Sequence, residues 1–290
     1  MQTQDVRYSE GAVEFLGYLA FDDTALNKRP GVLVVHEGLG LGEHIMERTR
    51  RIARLGYVVF AADMFGGRRQ FSDIQEMSKL LSDLRNDLPT LRARARAALA
   101  SLVSLPQVDE TRLAAIGFCF GGSVVLELAR DGADLKAVVS LHGVLSTTAP
   151  AEADKVKASV LVCTGADDPL APSDQVIEFQ NEMREAKVRD WQVISYGNTL
   201  HAFTNPAAGP STMRGTLYNE QADRRSWLAV QNFFEELLTT SAIHRHSIIA
   251  TRPKAALTHP KANVSPTLTK RPLRASNDSL LNPSQTSSVV

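Results

Sequence analysis

The sequence predicts an α/β domain in which a mostly parallel central sheet is covered by helices on both faces. Three observations lead there. Strand-like and helix-like patterns alternate along the first 240 residues, the strand-like runs are short and β-branched, and 290 residues with 43% apolar and 22% charged positions suffice for one deep core.

The elements follow in order. "GVLVVHEG", residues 31–38, is an apolar run ending in glycine, as a buried parallel strand should be. "EHIMERTRRIARLG" places Ile45, Ile52 and Leu55 near one helical face with Gly56 as a stop. "YVVFAAD" is a strand, residues 72–84 and 89–105 are helices, and "RLAAIGF" returns to a strand before the helix "VVLELAR". "AVVSLHG" and "VLVCTG" are strands, "SDQVIEFQNEMREAKV" is a helix, and "WQVISY" is a strand. A last helix spans 219–238, with Trp227, Val230, Phe234 and Leu237 at helical spacing. Strands alternating with helices in this way build a parallel, doubly covered sheet.

After Leu238 the pattern dissolves. Residues 241–290 hold five Pro, thirteen Ser or Thr and no Phe, Tyr or Trp. Such a segment has too little apolar surface to offset its ordering entropy, so a disordered tail is expected beside a folded domain over 1–240. The tail is also basic, with seven Lys or Arg against one Asp, which leaves −6 on residues 1–240.

For the whole chain, 32 basic and 32 acidic residues cancel, which argues against nucleic acid, an anionic membrane or a highly charged substrate as partner. The two cysteines, Cys119 and Cys163, lack the spacing of a disulfide framework or zinc site. No window approaches a membrane span, and "MQTQDVRYSEGAVEFLGYLA" lacks the layout of a secretory leader. The expectation is a cytoplasmic monomer or small homo-oligomer that needs neither cofactor nor metal.

Chemistry is concentrated in "AIGFCFGGSVVLELAR", residues 115–130. Its G-x-C-x-G spacing puts Cys119 where serine stands in the strand-turn-helix elbow that presents a nucleophile, with glycines letting neighbouring segments come close. A helix N-terminus there favours the thiolate. A small buried cysteine would fit the same few residues, so the partners decide. An elbow nucleophile is followed by an acid after a later strand and then by a histidine. Asp168 in "TGADDPLAP" and His201 in "GNTLHAFTNP" both lie just past strands, on the sheet edge where such folds bind ligands. Asp167 adjoins Asp168, and Asp63, His36 and His142 also end strands. Of the histidines at strand ends, only His201 follows the last strand.

These residues resemble the dienelactone hydrolase family of α/β-hydrolases. "PGVLVVHEGLGLGEHIMERTRRIARLGYVVFAADMFG", "IGFCFGGSVVLELA", "TGADDPLAP", "LHAFTNP" and "YNEQADRRSW" appear in the family's order, and the resemblance covers residues 8–238. It implies Cys119 as nucleophile, Asp168 rather than Asp167 as acid, His201 as base, and Glu37 as a glutamate that interacts with the cysteine and helps activate it. It also implies a small ester or lactone substrate, hydrolysed through a thioester, with the amides of Phe120 and Gly38 as oxyanion donors. The family's two carboxylate-binding arginines align with Ile74 and Asn205 here, leaving Arg68, Arg69 and Arg85 as substitutes. The alternative function is a non-catalytic scaffold that binds a small molecule or a protein, against which the intact acid, base and nucleophile argue. A redox role for Cys119 is a weaker third, since no second cysteine lies near it in sequence.

Overall fold

A hairpin, β1 (Gln2–Glu10) and β2 (Val13–Phe21), opens the fold and turns at Gly11, whose φ of 54° lies in the left-handed region that glycine enters without a Cβ clash. The computed structural model describes residues 1–23, 27–211 and 213–239, all within the unit Met1–Ser241. The tail, 241–290, lies outside the described residues. After the hairpin come β3 (Arg29–Val35), α1 (Glu43–Ala53), β4 (Val58–Ala62), α2 (Ile74–Asn86), α3 (Leu88–Val103) and β5 (Val108–Phe118). They are followed by α4 (Phe120–Arg130), β6 (Ala137–Leu141), β7 (Ser159–Gly165), α5 (Ser173–Glu185), β8 (Trp191–Tyr196) and α6 (Glu220–Leu238).

The eight strands form one sheet in the order β1-β2-β4-β3-β5-β6-β7-β8. From β4 to β8 all neighbours are parallel, with Val32 beside Val59 and Ala114, and Val139 beside Ile116 and Leu161. The hairpin joins antiparallel through Leu19 and Phe60. This hairpin is absent from the expected element order, because most β1 side chains are exposed and carry no apolar alternation.

Alternation along each strand sends neighbouring residues to opposite faces. Val32, Val34, Val59 and Ile116 pack with Ile45 and Ile52 of α1 and Trp227, Val230 and Phe234 of α6. Leu33, Val35, Phe60 and Ala115 pack on the other face with Leu81 of α2, Leu91 of α3, Val124 of α4 and Phe179 of α5. Each fully buried side chain of this size is worth ~1.5–3 kcal/mol, so the double covering is the main source of stability. Leu55, expected on the buried face, is 40% exposed. The reason is local: α1 ends at Ala53, and Gly56 at φ 98° turns the chain away before another helical turn can form.

Helix starts are set by side chains that satisfy free amides. Asp73 accepts from the amides of Gln75 and Glu76 before α2, Asp87 from that of Thr90 before α3, and Asn219 from that of Ala222 before α6. Because the strands from β3 onward are parallel, the residues following them converge on one sheet edge. His36 and Glu37, Asp63, Cys119, His142 and the loop that reaches Asp168 all follow strand ends there. Among the described residues no helix is long and apolar enough to cross a membrane.

Candidate active site

Cys119 is the single residue between β5 and α4, with φ 53° and ψ −115°. Backbone of this kind is costly for a residue with a Cβ and persists only where its surroundings hold it. Here three glycines make the surroundings possible. A Cβ on Gly117 would lie 1.9 Å from the Gly121 carbonyl oxygen, one on Gly121 2.2 Å from that of Val35, and one on Gly122 2.6 Å from Ser140 Oγ. The turn is therefore tight because α4 starts in contact with the ends of β3, β5 and β6. The Gly121 amide donates to the His36 carbonyl at 3.0 Å, tying the elbow to the loop that carries Glu37 and Gly38.

The three residues expected to work together meet. Cys119 Sγ lies 3.0 Å from His201 Nε2, and His201 Nδ1 donates to Asp168 Oδ2 at 2.8 Å. Asp168 Oδ1 accepts the Leu170 amide at 2.8 Å, which fixes the carboxylate plane. His201 and Asp168 are buried, while Cys119 is half-buried. Asp167, the alternative acid, is exposed, and Asp168 alone reaches the histidine.

Charge follows from this geometry. Burial pushes the Cys119 thiol up, but the His201 charge and hydrogen bond outweigh it, so its pKa falls below the ordinary 9. Burial disfavours the His201 cation, yet the Cys119 charge and the bond to Asp168 lift its pKa from 6.5 to about 10. The arrangement favours a thiolate–imidazolium pair.

The Gly38 amide lies on the Cys119 side of its loop and favours the thiolate. The Phe120 amide, at the N-terminus of α4, has no acceptor among the described residues.

Glu37 lies on the loop after β3 with its carboxylate turned to other partners. Its Oε2 accepts from Asn205 Nδ2 at 2.8 Å and lies 3.1 Å from His44 Nδ1, while its Oε1 is buried without a partner among the described residues. It interacts with Cys119 through charge, which opposes thiolate formation.

The remaining strand-end residues are anchors. Asp63 accepts from the amides of Leu16, Phe65, Gly66 and Arg68, and so fastens the hairpin to the end of β4. His36 bonds the Glu37 carbonyl at 2.6 Å and accepts the Met64 amide at 3.1 Å. Cys163 is buried in β7 beside Tyr196, and burial pushes its thiol up to about 12.

Of the three arginines named as substitutes, Arg68 bonds Asp5 and the Gly17 carbonyl, and Arg69 pairs with Glu76 and stacks on Phe71. Arg85 forms no hydrogen bond among the described residues, its Nε is buried, and its charge acts on Cys119. Helix geometry explains its place. Leu81, four residues earlier on the same face of α2, is so close to Gly38 that a Cβ there would lie 2.9 Å from Leu81 Cδ1. Ile74 merely begins α2.

Sequence reasoning missed His44, Arg48 and Thr204. Arg48 is buried, donates to the Thr204 carbonyl at 2.5 Å, and pairs with Asp223 at 2.8 Å. The signal available was "YNEQADRRSW", which contains Asp223.

A parallel sheet with a strained cysteine between strand and helix, and an aspartate and a histidine on the following strand-end loops, has the layout of an α/β-hydrolase. The chain belongs to the dienelactone hydrolase family, whose sequence model, described as "Dienelactone hydrolase family", matches residues 15–238. A putative carboxymethylenebutenolidase of Yersinia pestis is 26% identical over 250 residues, 81% of this chain and 91% of its own length. An uncharacterised protein of Caenorhabditis elegans is 37% identical over 151 residues, 50% of this chain and 93% of its own. Among solved structures, m3DLH superposes with a TM-score of 0.79 at 43% identity, over 82% of this chain and 99% of that one. A dienelactone hydrolase-like promiscuous phosphotriesterase from metagenomic libraries gives a TM-score of 0.78 at 42% identity, with the same coverage.

Proposed function

We propose that the protein hydrolyses small carboxylic esters or lactones through Cys119, His201 and Asp168 by way of a thioester. The observation that carries this reading is the line from Cys119 Sγ through His201 to Asp168, with contacts of 3.0 and 2.8 Å, on a strained turn.

In the first half-reaction the Cys119 thiolate attacks the carbonyl carbon, and the carbonyl electrons move onto oxygen facing the Gly38 and Phe120 amides. One such donor is typically worth ~3 kcal/mol of transition-state stabilisation. Collapse expels the alkoxide, which takes the Nε2 proton of His201. In the second half-reaction His201 removes a proton from water, the hydroxide attacks the thioester, and the thiolate leaves as the acid is released. Asp168 holds the ring so that Nε2 faces the sulfur throughout.

Arg85 supports a finer reading, in which the substrate carries an anionic substituent close to the reacting carbonyl. A half-buried guanidinium without a hydrogen-bond partner among the described residues suits a carboxylate. The reactive thiolate further suits a reducing, cytoplasmic setting.

The test is hydrolysis of p-nitrophenyl acetate, dienelactone and neutral lactones by the full chain. Cys119→Ala and His201→Ala should each abolish turnover. Full activity in either variant removes the mechanism, and binding without turnover across the whole panel would favour the scaffold.

A further inference from the structure

His142 makes two hydrogen bonds that no step above uses. The residue follows β6 at φ 41°, in the left-handed region, and its ring is fully buried. The Cys119 amide, which donates to the Leu141 carbonyl at 3.0 Å, also donates to His142 Nδ1 at 3.1 Å. With Nδ1 accepting, the ring proton sits on Nε2, which donates to Thr204 Oγ1 at 2.8 Å. Thr204 belongs to the loop of His201, three residues later, and its carbonyl is gripped by Arg48, itself held by Asp223.

We propose that His142 and Thr204 form a strut that sets the separation of Cys119 from His201, with both acting as positioning residues. This rests on the reading of Cys119 as nucleophile and His201 as base. One end of the strut holds the nucleophile's own backbone, which relaxes from φ 53° unless its surroundings over-determine it. The other end holds the loop that carries the base. The His142 ring meets His201 edge-on at 5.4 Å and Phe203 at 5.1 Å, so it has no room to swing. It cannot serve as a second base, because its Nδ1 lone pair is engaged. Burial first, and then the charges of His201, His44 and Arg48, hold it neutral.

Thr204→Val removes the hydroxyl while keeping the shape, Thr204→Ser keeps the hydroxyl, and His142→Asn offers a carbonyl oxygen near the Nδ1 position without reaching Thr204. With the full chain and p-nitrophenyl acetate, Thr204→Val should lower kcat ~10-fold with KM changed less than about twofold, since small misplacements of reacting groups act on the chemical step. Thr204→Ser should stay within about twofold of the parent. His142→Asn should fall to the level of Thr204→Val, and the double variant should go no lower, because both changes cut one connection.

A wild-type kcat in Thr204→Val, an equal fall in Thr204→Ser, or losses that multiply to ~100-fold would each overturn the strut. Should His142→Asn fail to fold, the Thr204 pair decides alone. A second readout is the rate at which iodoacetamide alkylates Cys119 at pH 7, with Cys119→Ala as the blank. It should drop several-fold in Thr204→Val and not in Thr204→Ser. Equal rates in the two variants overturn the strut. If that difference appears but the parent chain hydrolyses no ester, the functional reading fails and the strut stands.

Discussion

Asn205 donates a 2.8 Å hydrogen bond to Glu37, so the residue four positions after His201 holds an anion of the protein itself. Glu37 is 8% exposed, and among the described residues its Oε2 has Asn205 and His44 as partners. Asn205→Leu should therefore destabilise the fold by about 1–3 kcal/mol, the cost of leaving a buried polar group short of a donor. Urea denaturation measures it, and an unchanged midpoint would show that Glu37 finds another donor.

The Cys119–His201 pair gives a pH signature. The His201 contribution to stability is complete below its ordinary pKa of 6.5 and is lost as pH rises through about 10. That of Cys119 is complete above its ordinary 9 and is lost as pH falls through its lowered value. The two dependences run in opposite directions, so the pair's contribution declines toward low pH as the thiolate is protonated and above pH 9 as His201 approaches its pKa of about 10. Alkylation of native Cys119 against pH should show a midpoint below 9, and His201→Ala should move it upward. A parent midpoint at 9 or above would contradict the ion pair.

Arg85→Met should separate charge from chemistry. Methionine keeps most of the aliphatic stem while removing the guanidinium. KM for a carboxylate-bearing ester should rise ~10-fold or more, and kcat/KM for p-nitrophenyl acetate should change little, as expected for a charge-assisted contact of ~1.5–3 kcal/mol. Equal losses on both substrates would assign Arg85 to the shape of the site instead.

Gly121→Ala tests the contact between the elbow and the oxyanion loop. The new methyl would meet the Val35 carbonyl at 2.2 Å, so β3 and the start of α4 must separate. The expected cost is about 1–3 kcal/mol or more of stability from overpacking. Turnover should fall ~100-fold even below the melting point, because the Gly38 amide moves with β3. Retained turnover with lowered stability would detach the Gly38 amide from the reaction.

Legibility in the sequence followed burial. Strands β3, β4, β6 and β7 and the second half of β5 are largely buried on both faces and read as apolar runs, so their order was visible; β1, exposed along most of its length, left no pattern to read. Cys119, Asp168 and His201 were visible because an elbow turn and strand-end loops have local signatures. Arg48 and His44 were not, since on an amphipathic helix they look like its solvated face. Arg48 is nevertheless buried by a partner 175 positions away. His142 was noticed as a strand-end residue, but its bond to Thr204 spans 62 positions and follows no spacing rule.

Of the two thiols in the chain, Cys163 is sealed in β7 against Tyr196 with its proton firmly held, and Cys119 is the one that solvent and reagents can reach. Each native molecule therefore carries a single countable handle. The moles of label incorporated count the native molecules, so a preparation can be standardised by stoichiometry before any substrate is known.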